Sequence, residues 1–175
     1  MIYIVVALKS EAQALVDKYK LTKSTLKNYI LFSNKSMKLI VSGIGVEHSR
    51  LATQTLINHF DITDDDFYLN IGVCGANTNY AIGKLLKIGE IIYEDISYKF
   101  SEGITLHCKD EEIKQENFEA VDMESYGFYD AVIHNPAIKN FAIYKVVSDH
   151  YEPQNLTKDM VKSLIFKNLD TLELF

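Results

Sequence analysis

Arginine is nearly absent. The chain of 175 residues carries 18 lysines and arginines together, and only Arg50 among them is an arginine. Forked recognition of phosphate is usually an arginine task. A site that grips phosphate with several arginines therefore cannot be built within one chain. Positive charge is scarce overall, and a formal net charge of −6 argues against nucleic acid as a partner. The two cysteines, Cys74 and Cys108, are too few for a disulfide framework. Cys108 directly follows His107, which is not metal-ligand spacing, and no histidine stands at an evident triad spacing. No metal or organic cofactor is expected. No apolar run reaches membrane-spanning length. The first residues, MIYIVVALKSE, lack the basic start and cleavage pattern of a signal peptide. The expectation is a cytoplasmic chain with no membrane partner. Repeats, low-complexity tracts and linkers are also missing, and the acidic stretch 61–67 (DITDDDF) reads as a solvated turn.

What is present is an ordinary globular composition, 47% hydrophobic and 24% charged, in a length that suits one domain over residues 1–175. Apolar, β-branched runs at 2–8, 29–33, 37–42, 67–73, 85–93, 103–107 and 140–147 predict strands. Several are continuous rather than alternating, as in strands buried on both faces. Helical periodicity lies between them at 10–20, 45–60, 119–133 and 155–169. In the first helix Ser10 with Gln13 fits a capping box. In the third, Glu124, Phe128 and Ala131 share one face, which puts a carboxylate on an apolar stripe. The alternation predicts a single-domain α/β fold: a central mixed, mostly parallel β-sheet flanked by helices.

Ligands of open α/β sheets bind beyond the carboxyl ends of the strands. That rim holds Ser10 and Glu11 after the first strand, Gly43 to Gly45 after 37–42, Gly72 to Ala76 at the end of YLNIGVCGA, and Ser148 and Asp149 after AIYKVV. Each has a plainer reading. Glu11 can be the first-turn acid of a helix, and Asp149 a turn or cap residue. Cys74 reads more readily as a small buried hydrophobe than as a nucleophile. Glu124 is harder to dismiss, because a carboxylate on an apolar stripe is costly without a partner.

These stretches together resemble the nucleoside phosphorylase and nucleosidase superfamily, most closely its methylthioadenosine/S-adenosylhomocysteine nucleosidase branch. The resemblance runs in order through ALKSEAQAL, VSGIGVEHSRLATQ, NIGVCGA, IGEIIYEDISY, AVDMESYGF and KVVSDHYEP, and so covers most of the chain. It implies a homo-oligomer, a dimer by preference, acting on a small-molecule purine nucleoside. It also implies roles. Glu124 would hold the ribose hydroxyls with the backbone of Met123. Asp149 would protonate the purine at N7, oriented by Ser148, and Glu11 would position or deprotonate the attacking water. Gly45, Cys74 and Gly75 would line the pocket through their backbones, and Tyr98 matches a tyrosine beside the site.

The residue types suit the reaction. Cleavage of an N-glycosidic bond passes through an oxocarbenium-like sugar. A purine leaves poorly as an anion, and protonation by a carboxylic acid removes that obstacle, with an effect of ~10²–10⁴ in rate. Phosphorylases of the superfamily hold phosphate with arginines, whereas the corresponding places here carry Asn70 and Glu11, and Val73 replaces the usual hydroxyl. Water is the expected nucleophile. A phosphorylase, or a non-catalytic nucleoside-binding protein, is the alternative. The chain departs from the pattern in two places. Only residues 99–118 stand where relatives have a longer segment with base contacts, and Lys145 stands where relatives often have arginine.

Overall fold

The structure, a computed structural model, describes residues 1–114 and 118–172. Its elements in chain order are β1 (Ile2–Val6), α1 (Lys9–Tyr19), β2 (Thr22–Leu26), β3 (Tyr29–Ser33), β4 (Met37–Val41), α2 (Val46–His59), β5 (Phe67–Ala76), β6 (Leu85–Tyr93), β7 (Ile96–Lys99), β8 (Ile104–Cys108), β9 (Ala120–Asp122), α3 (Ser125–Ile133), β10 (Asn140–Asp149) and α4 (Lys158–Asn168).

The strands form one sheet that is closed at one end and open at the other. β5 pairs in parallel with β10, and β10 pairs antiparallel with β6. β6 continues in parallel to β8 and β8 to β9, and β9 returns antiparallel to β5. These five strands make a ring. From β5 an open wing extends through β1, β4, β3 and β2.

The α/β class is as expected, but the sheet is not mostly parallel. Among the described residues five pairings are parallel and five antiparallel. Parallel pairing joins β1 to β4 and β5, β5 to β10, β6 to β8 and β8 to β9. Short turns, which can join only antiparallel neighbours, build the β2–β3–β4 meander and the β6–β7 hairpin.

Two cores sandwich the sheet. Ile2, Ile4 and Val6 of β1 point to the face covered by α1 and α4, where Leu15 and Ile165 are buried. Tyr3 and Val5 point to the opposite face, covered by α2 and α3, with Leu56 and Phe128. The two-residue period of a strand buried on both sides thus gives the unbroken apolar run.

Three local expectations change. The stretch 119–133 is not one helix: residues 120–122 form β9, and α3 begins only at Ser125. Glu124 therefore sits at the helix entrance, not on an apolar stripe. The capping contact of α1 is made by Glu11, which reaches back to the N–H groups of Ala7 and Leu8, and not by Ser10 with Gln13. The short strands β2 and β7 carry too few apolar residues to stand out in the sequence.

Candidate active site

The carboxyl ends of β1, β4, β5 and β10 surround a cleft of about 1150 Å³. That volume is ample for a nucleoside, since small-molecule pockets run to roughly 300–1,000 Å³. Glu11, Glu124 and Asp149, from three distant parts of the chain, all line it, as do Gly75, Met123 and Ser148.

Glu11 is 2% exposed and closely held. Its Oε2 accepts from the N–H of Ala7 at 3.0 Å and of Leu8 at 2.9 Å, and its Oε1 accepts from the N–H of Val73 at 2.9 Å. The absence of a side chain at Gly72 makes this possible. A Cβ there would lie 2.8 Å from Glu11 Oε1. Burial pushes the Glu11 carboxyl above its ordinary range, against the pull of Lys145 and the three N–H groups.

Glu124 is also buried. Its Oε1 accepts from the N–H of Gly45 at 3.1 Å, and its Oε2 is 3.4 Å from the N–H of Met123. Gly45 aims that N–H from a backbone at φ +110°, a conformation other residues rarely adopt. Burial first, and the charge of Asp122 next, push the Glu124 carboxyl up to about 7.

Asp149 ends β10. Its Oδ1 accepts from the N–H of Glu152 at 2.8 Å, and Ser148 Oγ lies 2.7 Å from its Oδ2. The same hydroxyl is 3.1 Å from the carbonyl oxygen of Cys74. This arrangement serves both protonation states. Ser148 can donate to an ionised Asp149, or accept from a protonated one while donating to Cys74.

The remaining expected residues fall into two groups. Gly45 acts through its N–H on Glu124, and Cys74 through its carbonyl. The Cys74 thiol is buried, which pushes it well above the usual thiol range and keeps it from being a thiolate. Tyr98 does not line the cleft. Its ring lies 5.0 Å from that of Tyr126 and 5.7 Å from that of Tyr129, at the core beside α3. The short segment 99–118 reaches the cleft through Glu111, Glu112 and Ile113, and part of it lies outside the described residues.

The reading of the sequence overlooked Asp122. It lines the cleft and accepts from Lys145 Nζ at 2.8 Å, from the N–H of Ser125 at 3.0 Å and from Ser125 Oγ at 2.7 Å. The signal was Lys145 itself: a lysine inside a strand that reads as fully buried needs an internal partner. Arg50 is far from phosphate duty. It pairs with Glu47 and, at 2.7 Å, with Asp130.

No protein-family model matches the chain, and no curated protein matches it by sequence. Solved structures do match in three dimensions. A 5′-methylthioadenosine/S-adenosylhomocysteine nucleosidase from Colwellia psychrerythraea 34H, in complex with adenine, superposes with a TM-score of 0.77 at 16% identity, covering 98% of this chain and 95% of that one. The enzyme from S. pneumoniae with the transition-state inhibitor MT-ImmA gives 0.78 at 16% identity, with 98% and 96% covered. The 5′-methylthioadenosine nucleosidase of Arabidopsis thaliana gives 0.77 at 17% identity, with 99% and 96% covered. The chain thus has the fold of these nucleosidases along nearly its whole length, in agreement with the resemblance carried by its motifs.

Proposed function

We propose that the chain hydrolyses the N-glycosidic bond of a purine nucleoside, such as methylthioadenosine or S-adenosylhomocysteine. The observation that carries this reading is the convergence of Glu11, Glu124 and Asp149 on one cleft.

The free acceptor positions support a role for each acid. An ionised carboxylate offers about four lone-pair sites. Glu11 spends three on backbone N–H groups, which leaves one for the proton of a single water. Glu124 spends two at most, which leaves two for a pair of ribose hydroxyls. Asp149 keeps a position beside Ser148 for the proton that goes to N7 of the departing purine. The bond between the anomeric carbon and the base nitrogen breaks, its electrons pass to the protonated purine, and the water oxygen bonds to the anomeric carbon while Glu11 receives its proton. Free purine and free sugar result.

Water is favoured over phosphate because the cleft carries Glu11, Asp122, Glu124 and Asp149 and, among the described residues, no arginine. Methylthioadenosine and S-adenosylhomocysteine should release adenine in phosphate-free buffer. Turnover that strictly requires added phosphate would select phosphorolysis instead. Calorimetric binding of nucleoside without release would select the binding-protein alternative that the short 99–118 segment motivates. A homodimer is the proposed assembly, to be read by sedimentation.

A further inference from the structure

Lys145 is a charge that the proposed chemistry does not use. It stands in the middle of β10, is 1% exposed and does not line the cleft. Its Cα pairs in register with Gly72 of β5, the residue whose missing side chain makes room for the Glu11 carboxylate. Its Nζ is 2.8 Å from Asp122 Oδ2. Asp122 lies two residues before Glu124. Asp122 thus contacts the buried ammonium directly, and the register with Gly72 sets Lys145 beside the strand position where the Glu11 carboxylate packs.

We propose that Lys145 is a positioning residue, the buried counter-charge that allows Glu11 and Glu124 to be ionised together on the floor of the cleft. The inference rests on the nucleosidase reading only for its consequence, that both acids must accept hydrogen bonds from substrate and water. The physical claim stands without it. A buried ion pair of this kind is seldom a net source of stability, because desolvation of both partners offsets their attraction. It is more readily explained by what it does to neighbouring charges. The groups facing this cluster are few. Asp149 lies on the same strand as Lys145. Asp122 and Glu124 come from β9 and the α3 entrance, Glu11 from α1, and the neutral thiols of Cys74 and Cys108 from β5 and β8. Lys9 and Lys158 stand exposed at the mouth. Lys145 is thus the one buried cation among them. It acts on both glutamates in the direction of ionisation, and they act on it in return. Burial alone would discharge the ammonium, yet Asp122, Glu124 and Glu11 together hold it above the ordinary lysine range.

The test is a carbon-13 NMR titration of glutamate side-chain carboxyls in the full chain, with Glu124 assigned through Glu124→Gln. Lys145→Met should raise the Glu124 titration by roughly one to three pH units. Lys145→Arg, which keeps the charge, should leave it near the wild-type position. Asp122→Asn removes a negative neighbour and should lower it. Where Lys145→Met fails to fold, Lys145→Gln, which keeps a polar end for Asp122 but no charge, should raise the titration in the same direction and decides in its place. A role limited to packing moves thermal stability and leaves the Glu124 titration in place when the Lys145 charge is removed, and that outcome overturns the proposal. The readout needs no turnover. A chain that releases no adenine but shows these displacements refutes the nucleosidase reading and retains this one. In an active chain the acidic limb of kcat/KM should move in the same directions.

Discussion

Within the closed ring of strands, Lys145 and Asp122 are buried against each other. In the open wing of the same sheet, Thr22, Lys23, Ser24 and Thr25 of β2 all face solvent. The outer part of the wing, β2 and β3, reaches the cleft through Asn28, Tyr29 and Ile30 at the β2–β3 turn. That outer part is ordinary antiparallel sheet, and its edge strand β2 is exposed. The ring spends stability on desolvated charge and tight backbone contacts, and what it gains is a rim on which acids from distant segments are fixed. The proposed site lies where the sheet is least economical, a common feature of functional sites.

The sharpest way to break this contrast is at Glu11. Glu11→Gln keeps the shape and removes the proton acceptor, and adenine release should fall by ~10²–10⁴ while unfolding changes little. Gly72→Ala should depress activity similarly, because its Cβ would displace the Glu11 carboxylate. Both are read by steady-state assay beside a thermal melt. A stability loss of about 3 kcal/mol is expected from Gly127→Ala, since a Cβ there would sit 1.9 Å from the carbonyl oxygen of Val46 where α3 crosses α2. Urea denaturation measures it.

The pH dependence of stability gives a smaller effect with a fixed sign. The Glu124 carboxyl is raised in the folded state from its ordinary 4.5 to about 7. Between those values the folded chain holds a proton that the unfolded chain has released. Stability therefore falls as pH rises through that window and levels off above it. Glu124→Gln should remove a drop on the order of 2 kcal/mol between pH 5 and pH 8. Glu11, shifted in the same direction, leaves some slope behind. The least effect should come from the wing: Lys23→Ala should stay within about 0.5 kcal/mol of wild type. A large loss there would erase the distinction between the two regions.

Much of the architecture was legible, for reasons the same contrast explains. Strands such as Ile2–Val6 feed two cores at once, so their unbroken apolar runs announce burial on both faces. β2 and β7 are exposed and polar and gave no such signal. β9 was lost because three residues cannot display a period, and the helical pattern of 125–133 spread over them. At the site, Glu11 and Asp149 could be placed on one rim because each ends or follows a buried strand, whereas Glu124 was read on a helix because β9 gave no signal. Tyr98 could not be placed by that logic, since β7 hangs on the outer edge as half of a hairpin. The Asp122–Lys145 pair joins residues 23 apart in sequence, a separation at which no local pattern reports contact. The lysine alone, inside a buried strand, was the legible half.

The central claim is that three acids on one cleft break a sugar–base bond, with Asp149 supplying the proton. Its most direct test compares wild type with Asp149→Asn on methylthioadenosine in phosphate-free buffer, following free adenine. The account predicts release by the wild type and a loss of at least about 10²-fold in a variant that remains folded. Equal release by both proteins, or none by the folded wild type, would contradict it.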